Sequence, residues 1–182
     1  MVDRFLDWLR WAIDNVDDGY YSHSERVYCY ELYHLIRVRM YMFETRGGDL
    51  GGICLNNEIV KRVITHEQAE FHRVEALDGQ RIPDFLFHAP GNFESQIATM
   101  EVKKSQLSAI HLLSDIRKIN DMMERYLFRL GVFHTINNSI EHVMGIINDN
   151  RDSLINFRGD ILIIVKPGFG QSIHEFRLRD VL

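Results

Sequence analysis

The sequence predicts an α/β fold in which a central mixed β-sheet is flanked by helices. Three observations point there. Helix-periodic segments open the chain, short apolar runs separated by turn residues follow, and helix-like and strand-like segments then alternate to the end. With 182 residues, 46% of them hydrophobic, the chain suits one domain spanning 1–182 with a sizeable core.

The first helix is expected from Val2, Phe5, Leu6, Leu9, Ile13 and Val16, which recur at helical spacing until Asp17-Asp18-Gly19 ends the run. A second is expected from Ser22 to about Glu44, because Ser22 and Glu25 fit a capping box and Gly47-Gly48 breaks the pattern. Residues 51–55 and 59–65 read as extended. Residues 82–88 and 97–103 read more clearly as strands, and the polar, Pro-Gly-containing stretch between them makes the pair an antiparallel hairpin. A third helix runs from about Ser108 to Leu130 on a stripe that includes Leu112, Ile116, Ile119, Met123 and Leu127, with Gly131 as its stop. Residues 132–136 follow as a strand. Asn138 and Glu141 offer a capping box for a helix through Ile147, residues 160–166 read as a buried strand, 167–170 as a turn, and 173–178 as a last strand.

Twenty-one Lys+Arg against 26 Asp+Glu give a net charge of -5, which argues against a surface built to coat nucleic acid but leaves room for a local basic groove. Only Cys29 and Cys54 occur, both among apolar residues, which favours a reducing, cytoplasmic setting over a disulfide framework. The N-terminus lacks the apolar run of a signal peptide, and no stretch approaches the roughly 20 apolar residues of a membrane span.

The chemistry concentrates in the hairpin. Strand alternation through Ala98-Thr99-Met100-Glu101-Val102-Lys103 puts Ala98, Met100 and Val102 on one face and Thr99, Glu101 and Lys103 on the other. Folding about the turn brings Asp84 opposite the Glu101/Lys103 end. Two carboxylates with room between them suit a hard divalent cation such as Mg²⁺, with Mn²⁺ as substitute, and a neighbouring lysine can position a water and stabilise developing charge.

Pro83-Asp84, a spacer of sixteen residues, and Glu101-Val102-Lys103 together resemble the PD-(D/E)XK, or restriction-endonuclease-like, nuclease superfamily. The apolar context of both strands and the element order (helix, three strands, helix, strand) resemble it too, over about residues 22–136. The resemblance implies an αβββαβ core, with the first helix and the C-terminal helix and strands as additions. It implies Asp84 and Glu101 as metal ligands, the Val102 carbonyl as a further one, and Lys103 as the catalytic lysine. It also implies an acid from the helix before the sheet. Glu31 is nominated because it lies in the stripe Val27, Glu31, Leu35, Val38, Met42, where a carboxylate is costly unless paired, protonated or metal-linked. A tyrosine or arginine partner would explain it structurally, and Glu25 is its rival, already accounted for by a capping box. The implied activity is hydrolysis of phosphodiester bonds, in DNA ahead of RNA, by a chain free to act as a homodimer. The alternative is a catalytically silent domain that binds nucleic acid or protein.

Lesser signals have plainer readings. Glu58 and Lys61 suit a polar strand edge, Ser105 and Gln106 a helix start, and His88 lies towards the turn. Residues 66–72 miss the zinc-protease pattern because Glu70 stands where a histidine is required, and the glycines at 47–52 lack the Lys-Ser/Thr of a phosphate loop. Arg117, Lys118, Arg125 and Arg129 read as the exposed, basic side of the third helix.

Overall fold

The structure is a computed structural model and describes residues 1–58, 64–91, 93–104 and 106–182. The first helix, α1 (Val2–Asn15), is followed by a single turn, α2 (Asp18–Ser22), and by α3 (Glu25–Thr45). Strand β1 (Cys54–Asn57) is separated by the short α4 (His66–His72) from β2 (Phe85–His88), which turns back into β3 (Gln96–Lys104). Helix α5 (Ala109–Arg125), β4 (Leu130–Ile136), α6 (Ile140–Asp149), α7 (Arg151–Leu154), β5 (Leu162–Lys166) and β6 (His174–Arg177) complete the chain before a 3-10 turn at Leu178–Asp180.

The six strands form one mixed sheet in chain order, β1 to β6. Pairing is antiparallel from β1 through β3, parallel from β3 through β5, and antiparallel again at β6. The parallel pairs require crossovers, which α5 and then α6–α7 supply. Strand alternation sorts the core into two layers. Phe85, Phe87, Ala98, Met100, Val102, Val132 and Ile164 pack beneath α1 and α3, against Leu9, Ile13, Leu32 and Ile36. Leu86, Phe133, Ile163 and Val165 pack on the other face, against Leu112, Ile116, Ile119, Val143 and Ile147.

Five local expectations are corrected. Ser22 does not cap the long helix: its hydroxyl donates to Gly19 O inside α2, and Ser24 caps α3 by accepting from Val27 N. Helix α5 ends at Arg125, not Leu130. Tyr126 N and Phe128 N both return to Met122 O, and Leu127 takes a left-handed φ of 60°. Gly131 sits within β4, paired with Thr99, where a Cβ would collide with Ile119 and Met123 of the overlying helix. Asn138 is not a cap; Ser139 is, while Asn138 accepts from Leu107 N and donates to Thr135 Oγ1 and Ile136 O. The first extended run falls at Cys54–Asn57, after a turn with positive φ at Gly51 and Gly52, instead of at 51–55. Of the extended run read at 59–65, residues 59–63 lie outside the described residues, as do Lys61 and Ser105; Thr65 caps α4.

Candidate active site

The hairpin register puts Phe85 opposite Met100, so Asp84, one residue earlier, stands opposite Glu101. Glu58 N donates to Asp84 O at 3.1 Å, which extends the β1–β2 ladder to this point and fixes the Asp84 backbone. The Asp84 side chain lies on the Glu101 face and its Oδ2 accepts from Val102 N at 2.7 Å. Within a strand residue, N–H and C=O point to the same neighbour. The Val102 carbonyl is therefore turned to the Asp84 side, beyond the start of β2. Lys103 continues the Glu101 face near the C-terminal end of β3.

Two helices close over this strand end. From α5, Lys118 Nζ donates to Glu101 Oε2 at 2.8 Å and pairs with Asp115 Oδ1 at 2.9 Å. Asp115 Oδ2 lies 3.5 Å from Lys103 Nζ. From the first turn of α3, Glu25 Oε1 accepts from Lys103 Nζ at 3.2 Å and Oε2 from Lys104 N at 2.9 Å. Glu25, Lys103 and Lys104 also line a cleft of about 310 Å³ with Gln106, Leu107 and His111. A larger cleft of about 730 Å³ lies between α1 and the β5–β6 turn. Its cations pair one to one with acids, Arg10 with Glu175 and Lys166 with Asp14, whereas the charges at the end of β3 form a connected cluster beside the smaller cleft.

Asp84, Glu101 and Lys103 are thus brought together, and Glu31 is not. The Glu31 charge is felt instead by Tyr20 of α2, whose hydroxyl it holds above the usual tyrosine range. The buried face of α3 is Tyr28, Cys29, Leu32, Ile36 and Met40. Cys29, one turn after Glu25, feels Asp84, Glu25 and Lys103, whereas Glu31 lies a further two residues, or about 200°, around the helix. The Val27–Met42 stripe is the half-buried flank. Glu25, not Glu31, is the α3 acid that reaches the Lys103 end of β3. Sequence reasoning missed Asp115 altogether and treated Lys118 as exposed. The available signal was Asp115 itself, a carboxylate between Leu112 and Ile119 within the apolar stripe of α5.

Four carboxylates (Glu25, Asp84, Glu101, Asp115) face two ammoniums (Lys103, Lys118), an excess of two negative charges when all are ionised. The excess shows in the titration of the buried members. Burial, reinforced by the Asp84 charge and only partly relieved by Lys118, pushes the Glu101 carboxyl up to about 8. Burial also raises Asp84, against the pull of the Val102 N–H. For Lys103, burial opposes the charge, but Asp115, Glu25 and Asp84 outweigh it and hold the ammonium above the usual lysine range. Lys118 is likewise raised: burial opposes its charge, but Glu101 and Asp115 together outweigh it. The two halves of the Lys118–Glu101 pair respond in opposite senses, toward charge for the lysine and toward neutrality for the acid. The reason is exposure: the Glu101 side chain is 2% exposed and that of Lys118 29%.

The donor set fits a hard cation. Glu101 Oε1 is buried and makes no hydrogen bond, and neither does Asp115 Oδ2. A carboxylate oxygen left bare in the interior is costly, and a cation bound beside Asp84 would satisfy that of Glu101. Among the described residues, no three His, Cys, Asp or Glu side chains are gathered into a ready-made metal cage. Glu25 and Asp115 are instead drawn to the lysines. The chain matches no known protein family, no curated protein and no solved structure. No helix is long and apolar enough to cross a membrane among the described residues.

Proposed function

We propose that the chain is a metal-dependent nuclease that hydrolyses phosphodiester bonds in nucleic acid, with DNA the first substrate to test. The observation that carries this reading is Asp84 opposite Glu101 on one face of a hairpin, with Lys103 next on that face and an unsatisfied Glu101 oxygen beside them. The run α3, β1, β2, β3, α5, β4 follows the αβββαβ order of the restriction-endonuclease-like core, with α4 as an insertion between β1 and β2. That supports assigning the core to this type, with α1, α2 and the segment from α6 to β6 as additions.

In this reading Asp84, Glu101 and the Val102 carbonyl hold Mg²⁺, for which Mn²⁺ substitutes. The ion, when bound, polarises the scissile phosphate and makes a coordinated water more acidic. Lys103 keeps its proton throughout the neutral range, because three carboxylates surround it, so its role is electrostatic: it orients the attacking water and stabilises charge on the phosphate. Glu25 takes the place expected of Glu31. It holds the Lys103 ammonium and the Lys104 N–H at the mouth of the cleft.

A second reading, a catalytically silent module that binds nucleic acid or protein, is favoured by one feature. Both hairpin acids are already bonded within the chain, Glu101 by Lys118 and Asp84 by Val102 N. Purified protein incubated with single- and double-stranded DNA and RNA separates the two. Cleavage with Mg²⁺ or Mn²⁺, abolished by EDTA and lowered at least about 100-fold by Asp84→Ala and Lys103→Ala, supports the nuclease. No cleavage of any substrate, together with no Asp84-dependent Mn²⁺ binding, supports the silent module.

A further inference from the structure

The nuclease motif accounts for the hairpin but not for the acid–base pair that α5 lowers onto it. Asp115 and Lys118 are three residues apart, and such pairs on an exposed helix face contribute little. Here the acids are buried: the Asp115 side chain is 5% accessible and that of Glu101 2%, with the 29%-accessible Lys118 bonded to both. Each carboxylate gives one oxygen to Lys118; Asp115 Oδ2 then rests 3.5 Å from the Lys103 ammonium, while Glu101 Oε1 is left without a hydrogen bond. A pair whose only task was to hold the fold would not leave Glu101 Oε1 bare in the interior.

We propose that Lys118, tethered by Asp115, is a positioning residue for the metal centre: it pins Oε2 of Glu101 and thereby presents Oε1 to the cation. Asp115 anchors the arrangement by also lying against the Lys103 ammonium, so α5 sets both the ligand and the lysine. This rests on the nuclease reading, from which it is separable by experiment. Groups that orient a ligand from behind change metal affinity about 10- to 100-fold when removed.

The test is calorimetric Mn²⁺ titration of wild type, Lys118→Met, Lys118→Arg, Asp115→Asn and Asp84→Asn, with thermal melts of each. The expected result is Mn²⁺ binding weakened at least about tenfold in Lys118→Met and Asp115→Asn. Lys118→Arg should recover most of the loss, and the metal concentration for half-maximal cleavage should rise in parallel. Affinity unchanged or tighter in whichever of Lys118→Met and Asp115→Asn melts like wild type would overturn the proposal. Tighter binding would mean that the ammonium competes with the cation. If wild type itself binds no Mn²⁺, or binds it equally well as Asp84→Asn, the nuclease reading fails and this proposal with it.

Discussion

Replacing Glu101 by glutamine keeps the size and shape of the side chain and removes its charge, so it isolates what that charge costs the fold. The folded carboxyl titrates near about 8, against 4.5 for an ordinary glutamate, because burial and Asp84 oppose ionisation more than Lys118 favours it. Below pH 4.5 the group is protonated in both the folded and unfolded chain and adds no pH dependence. Between 4.5 and 8 the unfolded chain has lost the proton and the folded chain keeps it, so stability falls as pH rises. Above 8 both are ionised and the full penalty stands. At about 1.4 kcal/mol per pH unit, the loss between pH 5 and 8.5 is roughly 4 kcal/mol, an upper figure because water entry and relaxation around the pair soften it. Urea unfolding at pH 5, 7 and 8.5 measures it directly. The wild type should lose ground to Glu101→Gln steadily across that range, by a few kcal/mol in total. Mn²⁺ at pH 8.5 should restore the wild type but not the variant. Parallel pH profiles, or a wild type that gains on the variant as pH rises, would refute the account of a buried, under-neutralised carboxylate.

Two further substitutions test the helix placements. Glu25→Gln should lower cleavage about tenfold by loosening Lys103, while Glu31→Gln, beside Tyr20, should leave cleavage unchanged; equal effects would mean that α3 is misplaced. Gly131→Ala should cost about 1–3 kcal/mol in thermal or urea unfolding, because the added methyl meets Ile119 and Met123 where α5 crosses β4.

The elements that follow a single strong period were legible in the sequence. The alternation in Ala98–Lys103 and the polar turn before it suffice to place Asp84, Glu101 and Lys103 on one surface, and the register realises that placement. Helix ends were harder to read where two residues compete to cap them. Ser22 and Ser24 both precede Glu25 within one turn; the intervening short α2 takes up Ser22, whose hydroxyl bonds Gly19 O, and leaves Ser24 as the cap. That choice bears on the site, because a Glu25 that is not part of a capping box is free to reach Lys103. The rule that selected Glu31, an acid within an apolar helix stripe, selects Asp115 equally well. It failed on α3 because the helix presents its Tyr28–Cys29–Leu32–Ile36 side to the sheet, which the half-buried Val27–Met42 flank obscures. Lys118 was illegible for a different reason. Its stem lies on the border of α5, and nothing local shows that an acid from a distant strand will meet its ammonium.

The central claim is that Asp84 and Glu101 hold one divalent cation at the open end of the hairpin. Crystals soaked with Mn²⁺ and measured near the manganese absorption edge test it most directly. The account predicts an anomalous peak within coordination distance of both carboxylates, with Glu101 ligating through Oε1, Glu25 nearby and Glu31 remote. A peak bound elsewhere, or no peak at a Mn²⁺ concentration that saturates the protein in solution, would contradict it.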